Sequence, residues 1–284
     1  MFNINNRRYI GSKARMLNFI DEVIKKEKIE FSSFFDLFGG TGIVGDYFNN
    51  QKTKVYVNDL LKYNYLSYLA WFGNDKINKK KLEDIINKYN SLKNLKDNYF
   101  SINFSDTYFS KNNCKKIGYI REDIENKYLN DEINTRERAI LITSLLYAMD
   151  KIANTVGHYD AYRKNGNLNK KLELYMLDLK SNVNNKNNKI FNEDSNELVR
   201  NIKADIVYID PPYNSRQYSD AYHLLENVAT WEKKEVFGVA KKMKRNDIKS
   251  KYCSVCAPLA FKDLIENINA KYIIVSYNNM GTKG

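Results

Sequence analysis

Two prolines, Pro211 and Pro212, stand side by side after the apolar run "ADIVYI", with only Asp210 between. The chain has three prolines in 284 residues, so the pair marks one chosen place. Proline donates nothing to a sheet ladder and holds the preceding residue extended. "ADIVYI" therefore reads as a buried strand that stops abruptly. It stops with a carboxylate before the prolines and an aromatic ring, Tyr213, after them.

The rest of the chain supplies the neighbours such a strand needs. Met16, Leu17, Ile20, Val23 and Ile24 recur at helical spacing. "SSFFDLFGG" is an aromatic and apolar run closed by two glycines, a strand and a tight turn. "TGIVGDYFNN" starts a helix, "KVYVNDL" is a second strand, and "LKYNYLSYLAWFG" a helix again. This alternation predicts a parallel α/β sheet with helices on its faces. From about residue 74 no strand alternates with the long helical patterns, so 74–186 is expected to be a mainly helical insertion. The alternation returns with "KIFNEDSNEL", "ADIVYIDPPY", "DAYHLLENVATWE" and "AKYIIVSYNN". Residues 1–73 and 187–284 are expected to form one domain. "KKMKRNDIKSK" reads as a basic loop.

The formal charge is +12 and the pI about 9.3. That balance suits a polyanionic partner, most often nucleic acid, although AT-rich codon usage also enriches Lys and Asn. Three cysteines are too few for a disulfide scaffold, which suggests a cytosolic, bacterial-type protein. "CSVC" has no second pair and no nearby histidine, so no metal site is expected. No apolar run is long enough to span a membrane, and the N-terminus is too polar for a signal peptide.

Gly39, Gly40 and Gly42 follow the first strand and allow a ligand close to the backbone, at a helix N-terminus. Asp59 ends the next strand, about twenty residues on, placed to accept the hydroxyls of a ribose. These features fit an adenosine-containing cofactor, either NAD or S-adenosylmethionine. "DPPY" chooses the second. An exocyclic base amine is a poor nucleophile, because its lone pair is delocalised into the ring. Asp210 and a rigid proline carbonyl can hold its two protons, and Tyr213 offers a face for the base. A base in a duplex must be flipped out to reach them.

With these motifs in place, the chain resembles the alpha-group, Dam-like DNA adenine-N6 methyltransferases, many of them from restriction-modification systems. The resemblance covers residues 7–70 and 188–280. It implies a Rossmann-like S-adenosylmethionine-dependent methyltransferase sheet. It places Tyr9 and Lys13 of "RRYIGSK" on the N-terminal cofactor motif. Asp36, Phe38, Gly39, Gly40, Thr41 and Gly42 fall on the glycine motif, with Asp36 toward the methionine ammonium. Asp59 falls on the ribose-binding acid and Asp194 near the cofactor adenine. Asp210, Pro211, Pro212 and Tyr213 are catalytic, and Asp in first place favours adenine over cytosine. The family's target-recognition region lies where 74–186 lies here. The partner implied is double-stranded DNA, with a cognate restriction endonuclease alongside.

Within and after that region, His158, Tyr159, Tyr162, Arg163 and Lys164 combine stacking groups with phosphate-binding charge. Arg216 and Gln217 follow the "DPPY" motif, and Asn278 or Asn279 ends the next strand at the same sheet edge. His223 reads as a packed helix residue. The family's sheet usually continues with two further strands after "YIIVSYNN", and this chain stops at Gly284; either the sequence is truncated, which would leave an exposed sheet edge, or the sheet closes differently. Two other classes compete: a non-catalytic nucleic-acid-binding protein on the same scaffold, and a nicotinamide-dependent oxidoreductase. The second leaves "DPPY" without a role. Methylation of a cytosine amine or of RNA is the alternative within the favoured class.

Overall fold

The computed structural model describes every residue except Arg8, Gln51 and 278–284. The Asn278 and Asn279 expectations lie outside the described residues. Seven strands occur among the described residues: β1 (Ser33–Asp36), β2 (Lys54–Asn58), β3 (Lys189–Phe191), β4 (Lys203–Ile209), β5 (Val236–Phe237), β6 (Lys242–Met243) and β7 (Asn269–Val275). Five form a parallel sheet in the order β3-β2-β1-β4-β7, and β5 with β6 forms a separate antiparallel hairpin. The chain builds outward from β1 to β2 and β3 on one side, then to β4 and β7 on the other. Strand order thus reverses between β1 and β4, where a parallel sheet opens a crevice beyond its carboxyl ends.

Successive strand residues face opposite sides, and both sides here are covered. Phe34, Ile206 and Tyr208 join one apolar core, while Phe35, Val207 and Ile209 join another. The first face carries α1 (Leu17–Lys26), α2 (Ile43–Phe48) and α3 (Lys62–Phe72). The helical region follows as α4 (Lys79–Ser91), α5 (Tyr99–Phe104), α6 (Lys111–Leu129) and α7 (Thr135–Ile152). The second face carries α8 (Ser195–Leu198) and, after α9 (Tyr218–Ala221) and α10 (His223–Thr230), the last helix α11 (Ala257–Asn267). β7 is the outer strand of the described sheet, with Tyr272, Ile273 and Val275 exposed.

The helical region shares its core with the sheet. Leu141, Leu145 and Met149 of α7 belong to the same apolar cluster as Phe34 of β1. α3 lies between them and is buried nearly all round, as a helix with partners on two sides must be. A charged side chain reinforces the join, and a second ties α10 to α3. Arg121 of α6 donates to the carbonyls of Val228 and Ala229 at the end of α10. The Glu226 carboxylate accepts from the amides of Lys62 and Tyr63 at the start of α3. Asparagines do specific work here. Asn78, Asn98 and Asn134 cap α4, α5 and α7, each cap stabilising by about 1 kcal/mol.

The structure departs from the expected elements in two places. "DAYHLLENVATWE" divides into α9 and α10 and ends where Trp231 turns left-handed at φ 55°. The basic loop contains β6, which pairs with β5 as a hairpin. Two-residue strands carry no readable period.

Candidate active site

Asp36 ends β1, Asp59 follows β2 and Asp210 follows β4, so the sheet brings three carboxylates to one edge. Asp36 is buried, and its Oδ2 accepts from the Gly45 amide at 3.1 Å. Burial pushes its carboxyl up to about 7, against the pull of that hydrogen bond. The glycine turn follows. Gly40 has φ 52°, and a Cβ there would lie 3.1 Å from the Tyr9 ring. Gly42, at φ 79°, starts α2 from the left-handed region. Both positions favour glycine on backbone grounds.

Asp59 is held by four donors or near neighbours. Its Oδ2 accepts from the Gly40 amide at 3.0 Å and from Asn64 Nδ2 at 2.9 Å. Its Oδ1 accepts from the Leu61 amide at 2.8 Å, and the Tyr68 hydroxyl lies at 3.5 Å. Burial raises it to about 6, and those hydrogen bonds pull it back toward the charged form. Behind it, Arg7 Nη1 donates to Asn64 Oδ1 at 2.8 Å.

The N-terminal motif is fastened to the helices after "DPPY". The Tyr9 ring stacks on Tyr222 at 5.0 Å and 7°, and on Tyr218 at 5.4 Å and 29°. The Ile10 amide donates to the Tyr222 hydroxyl, and the Tyr218 hydroxyl donates to the Ile10 carbonyl. This places Lys13 Nζ 3.0 Å from Asp210 Oδ1. The two form an ion pair that little solvent reaches, with side-chain exposures of 13% and 15%. Burial raises the Asp210 carboxyl to about 6, and Lys13 opposes the rise. Tyr213 sits beside them, its ring 5.7 Å from Lys13 Nζ and edge-on to Tyr277 at 5.9 Å.

These groups line one cleft of about 1040 Å³, open to solvent. It gathers every residue expected for catalysis and for the cofactor except Gly42, which turns the chain beneath it. Asp194 lies at one end of the cleft, capping α8 through the Asn196 amide and 3.7 Å from Lys251. Sequence reasoning missed Tyr218, Ser195 and Tyr252. Tyr252 meets Phe38 edge-on at 5.1 Å. Only Tyr218 had a legible signal, an aromatic residue shortly after Tyr213.

The expected DNA-facing residues separate. Arg163, Lys164 and Arg216 are exposed, and His158 and Tyr162 are half-buried. Tyr159 is a correction, because its ring is buried and cannot stack on a base. Its hydroxyl donates to Asp150, and its carbonyl lies 2.8 Å from His223 Nε2. His223 is fully buried, and burial lowers it to about 4. Gln217 lines the cleft, but its amide exchanges two hydrogen bonds with the Ser250 backbone. Among the described residues no group of three or more His, Cys, Asp or Glu could hold a metal ion. No helix among them is long and apolar enough to cross a membrane.

A parallel sheet with a strand-order reversal, a glycine turn after β1 and carboxylates beyond β1, β2 and β4 is the arrangement of a Rossmann-like methyltransferase. Comparison of the sequence with family models agrees. The chain belongs to the D12 class of N6 adenine-specific DNA methyltransferases, whose model matches residues 9–281. It is 41% identical to the modification methylase StsI of Streptococcus sanguinis, over 96% of this chain and 44% of that protein. It is 37% identical to the type II methyltransferase M.FokI of Planomicrobium okeanokoites, over 96% of this chain and 45% of that protein. It is 33% identical to M.NlaIII of Neisseria lactamica, over 96% of this chain and 84% of that protein. The chain thus spans less than half the length of the first two of these relatives.

Proposed function

We propose that this protein transfers a methyl group from S-adenosylmethionine to N6 of adenine in duplex DNA. The observation that carries the reading is the Asp210 carboxylate, which lines the cleft beyond β4 with Tyr213 alongside and Lys13 Nζ 3.0 Å from its Oδ1. The Lys13 contact leaves lone pairs on this largely buried carboxylate that still need a donor, and a flipped adenine amine supplies one.

The cleft suits the cofactor. The left-handed turn at Gly40 leaves backbone room, Asp59 is fixed to accept ribose hydroxyls, and Asp36 lies where an ammonium needs a counter-charge. When bound, S-adenosylmethionine supplies an electrophilic methyl group. The residues of this chain do the rest. Asp210 accepts an N–H of the target amine and draws its lone pair out of conjugation. The Pro211–Pro212 pair holds the adjoining carbonyl in place as a second acceptor. Tyr213 stacks on the base. The displaced proton leaves to solvent. The helices of 74–186 and the exposed Arg163 and Lys164 serve target recognition. The named modification methylases among its relatives favour a restriction endonuclease as biological partner.

The test is transfer from labelled S-adenosylmethionine to unmethylated genomic DNA, with digestion to identify the modified base. Labelled N6-methyladenine, reduced at least about 100-fold by Asp210→Ala while the variant still binds cofactor, is the expected result. Label in cytosine or only in RNA would overturn it.

A further inference from the structure

We propose that the β5–β6 hairpin is a second DNA-contacting element, laying Phe237 and Val239 against bases beside the flipped adenine while its lysines hold phosphates. This rests on the DNA-methylating function proposed above.

The hairpin holds apolar side chains in water. Phe237 is 46% and Val239 79% exposed, and a turn with Gly238 at φ 69° and Lys241 at φ 55° presents them. A lone two-stranded hairpin is marginal in water, so this one depends on its base. That base is well anchored. Arg245 Nη1 donates to the Met243 carbonyl at 2.8 Å, and on the turn the Ala240 carbonyl lies 3.1 Å from the Tyr108 hydroxyl, whose shorter bond goes to the Tyr159 carbonyl at 2.6 Å. Lys242 Nζ pairs with Asp160 at 2.8 Å, Arg245 pairs with Asp220, and Met243 is buried. Folding gains nothing from exposing the tip, so a firmly held apolar tip points to a partner.

Charge says which partner. Residues 233–251 carry eight lysines and arginines against two acids; five of the eight pair with carboxylates, and Lys241, Lys244 and Lys249 are in no ion pair among the described residues. Apolar wedges ringed by basic residues suit nucleic acid, where the bases are apolar and the phosphates anionic.

Position says where. One Asp160 carboxylate spans Lys242 of the hairpin and Arg216 Nε, at 3.9 Å, just beyond Tyr213. After the hairpin the chain returns to the cleft, where Ser250 exchanges two hydrogen bonds with Gln217. Ile248, Ser250 and Lys251 form part of its lining. Hairpin and "DPPY" loop therefore share one rim, and a duplex delivering a base to Tyr213 must cover it.

The experiment measures binding of sheared, unmethylated genomic DNA across a salt series, with methyl transfer, cofactor binding and melting temperature on the same preparations. Phe237→Ser/Val239→Ser is expected to weaken DNA binding at least tenfold at fixed salt, with melting and cofactor binding unchanged. Lys241→Gln/Lys244→Gln is expected to reduce the salt slope of log affinity by about two. Phe19→Ser, an exposed aromatic on α1, is the control and should change nothing. Val239→Ser alone keeps the test decisive if the pair lowers melting. Wild-type DNA methylation with unchanged affinity in the hairpin variants would overturn this inference and leave the proposed function standing. Wild-type protein that neither binds nor methylates DNA would overturn both.

Discussion

The ammonium of Lys13 lies 3.0 Å from Oδ1 of Asp210, so a residue near the start of the chain sets the charge of one near its end. Neither side chain is more than 15% exposed, so solvent screens the pair weakly. Burial raises Asp210 to about 6 and Lys13 pulls it down. Under the proposed function Asp210 must be ionised to accept a hydrogen bond from the amine. Activity should therefore fall below about pH 6, and Lys13→Ala should move that limb to higher pH. The profile of kcat/KM for DNA against pH checks this. An unmoved limb would show that the two charges are uncoupled.

Asp36 gives a stability prediction of opposite sense to the usual acid denaturation. Its folded carboxyl titrates at about 7, above its unfolded value of 3.8. The folded state therefore binds the proton more tightly, and stability falls as pH rises from about 4 through 7. Asp36→Asn removes that penalty. It should stabilise the cofactor-free protein at pH 8 by about 1–2 kcal/mol, allowing for relaxation of the site. The gain should shrink toward pH 4, and cofactor affinity should fall. Urea midpoints at several pH values, with equilibrium cofactor binding, measure both.

Tyr9 and Gly40 should fail in distinguishable ways. Gly40→Ala puts a Cβ into the left-handed region and 3.1 Å from the Tyr9 ring, at a cost of about 1–2 kcal/mol. Tyr9→Ala removes the ring stacked on Tyr218 and Tyr222, costing about 3–5 kcal/mol. Tyr9→Phe keeps the stack and should be nearly neutral. All three are compared by denaturation midpoint and cofactor Kd. A neutral Tyr9→Ala would remove the stack's structural role.

Arg121 tests how firmly α6 is joined to α10 beside the sheet. Its side chain is fully buried, with Glu125 at 2.6 Å and two α10 carbonyls as acceptors. Arg121→Met leaves those carbonyls unsatisfied and strips Glu125 of one partner, although Arg138 remains at 2.8 Å. Removing one side of such a buried network costs about 3–5 kcal/mol. A urea midpoint indistinguishable from wild type would show the cap to be dispensable.

Much of the site was legible because its motifs are local. The strand stopped by Pro211 and Pro212, and the glycine turn after Phe38, each declare a backbone geometry within a few residues. The resemblance to adenine methyltransferases rested on them, and the family match over 9–281 bears it out. The recognition residues were less legible. Tyr159 was expected on the DNA surface, yet its hydroxyl meets Asp150 in the core. In an irregular loop no period tells inside from outside.

Sequence by itself determined the alternation of strands and helices, the run of helices between Lys79 and Ile152, and the acids at the ends of three strands. Those features follow from propensity, periodicity and proline or glycine geometry, all short-range. Tertiary structure alone decided that the three acids share one cleft, because strand order puts β2, β1 and β4 side by side. It also decided that Lys13 faces Asp210, that α7 packs into the core of the sheet, and that a basic hairpin stands beside the cleft. Each depends on contacts between residues far apart in the chain, whose energy no local pattern encodes.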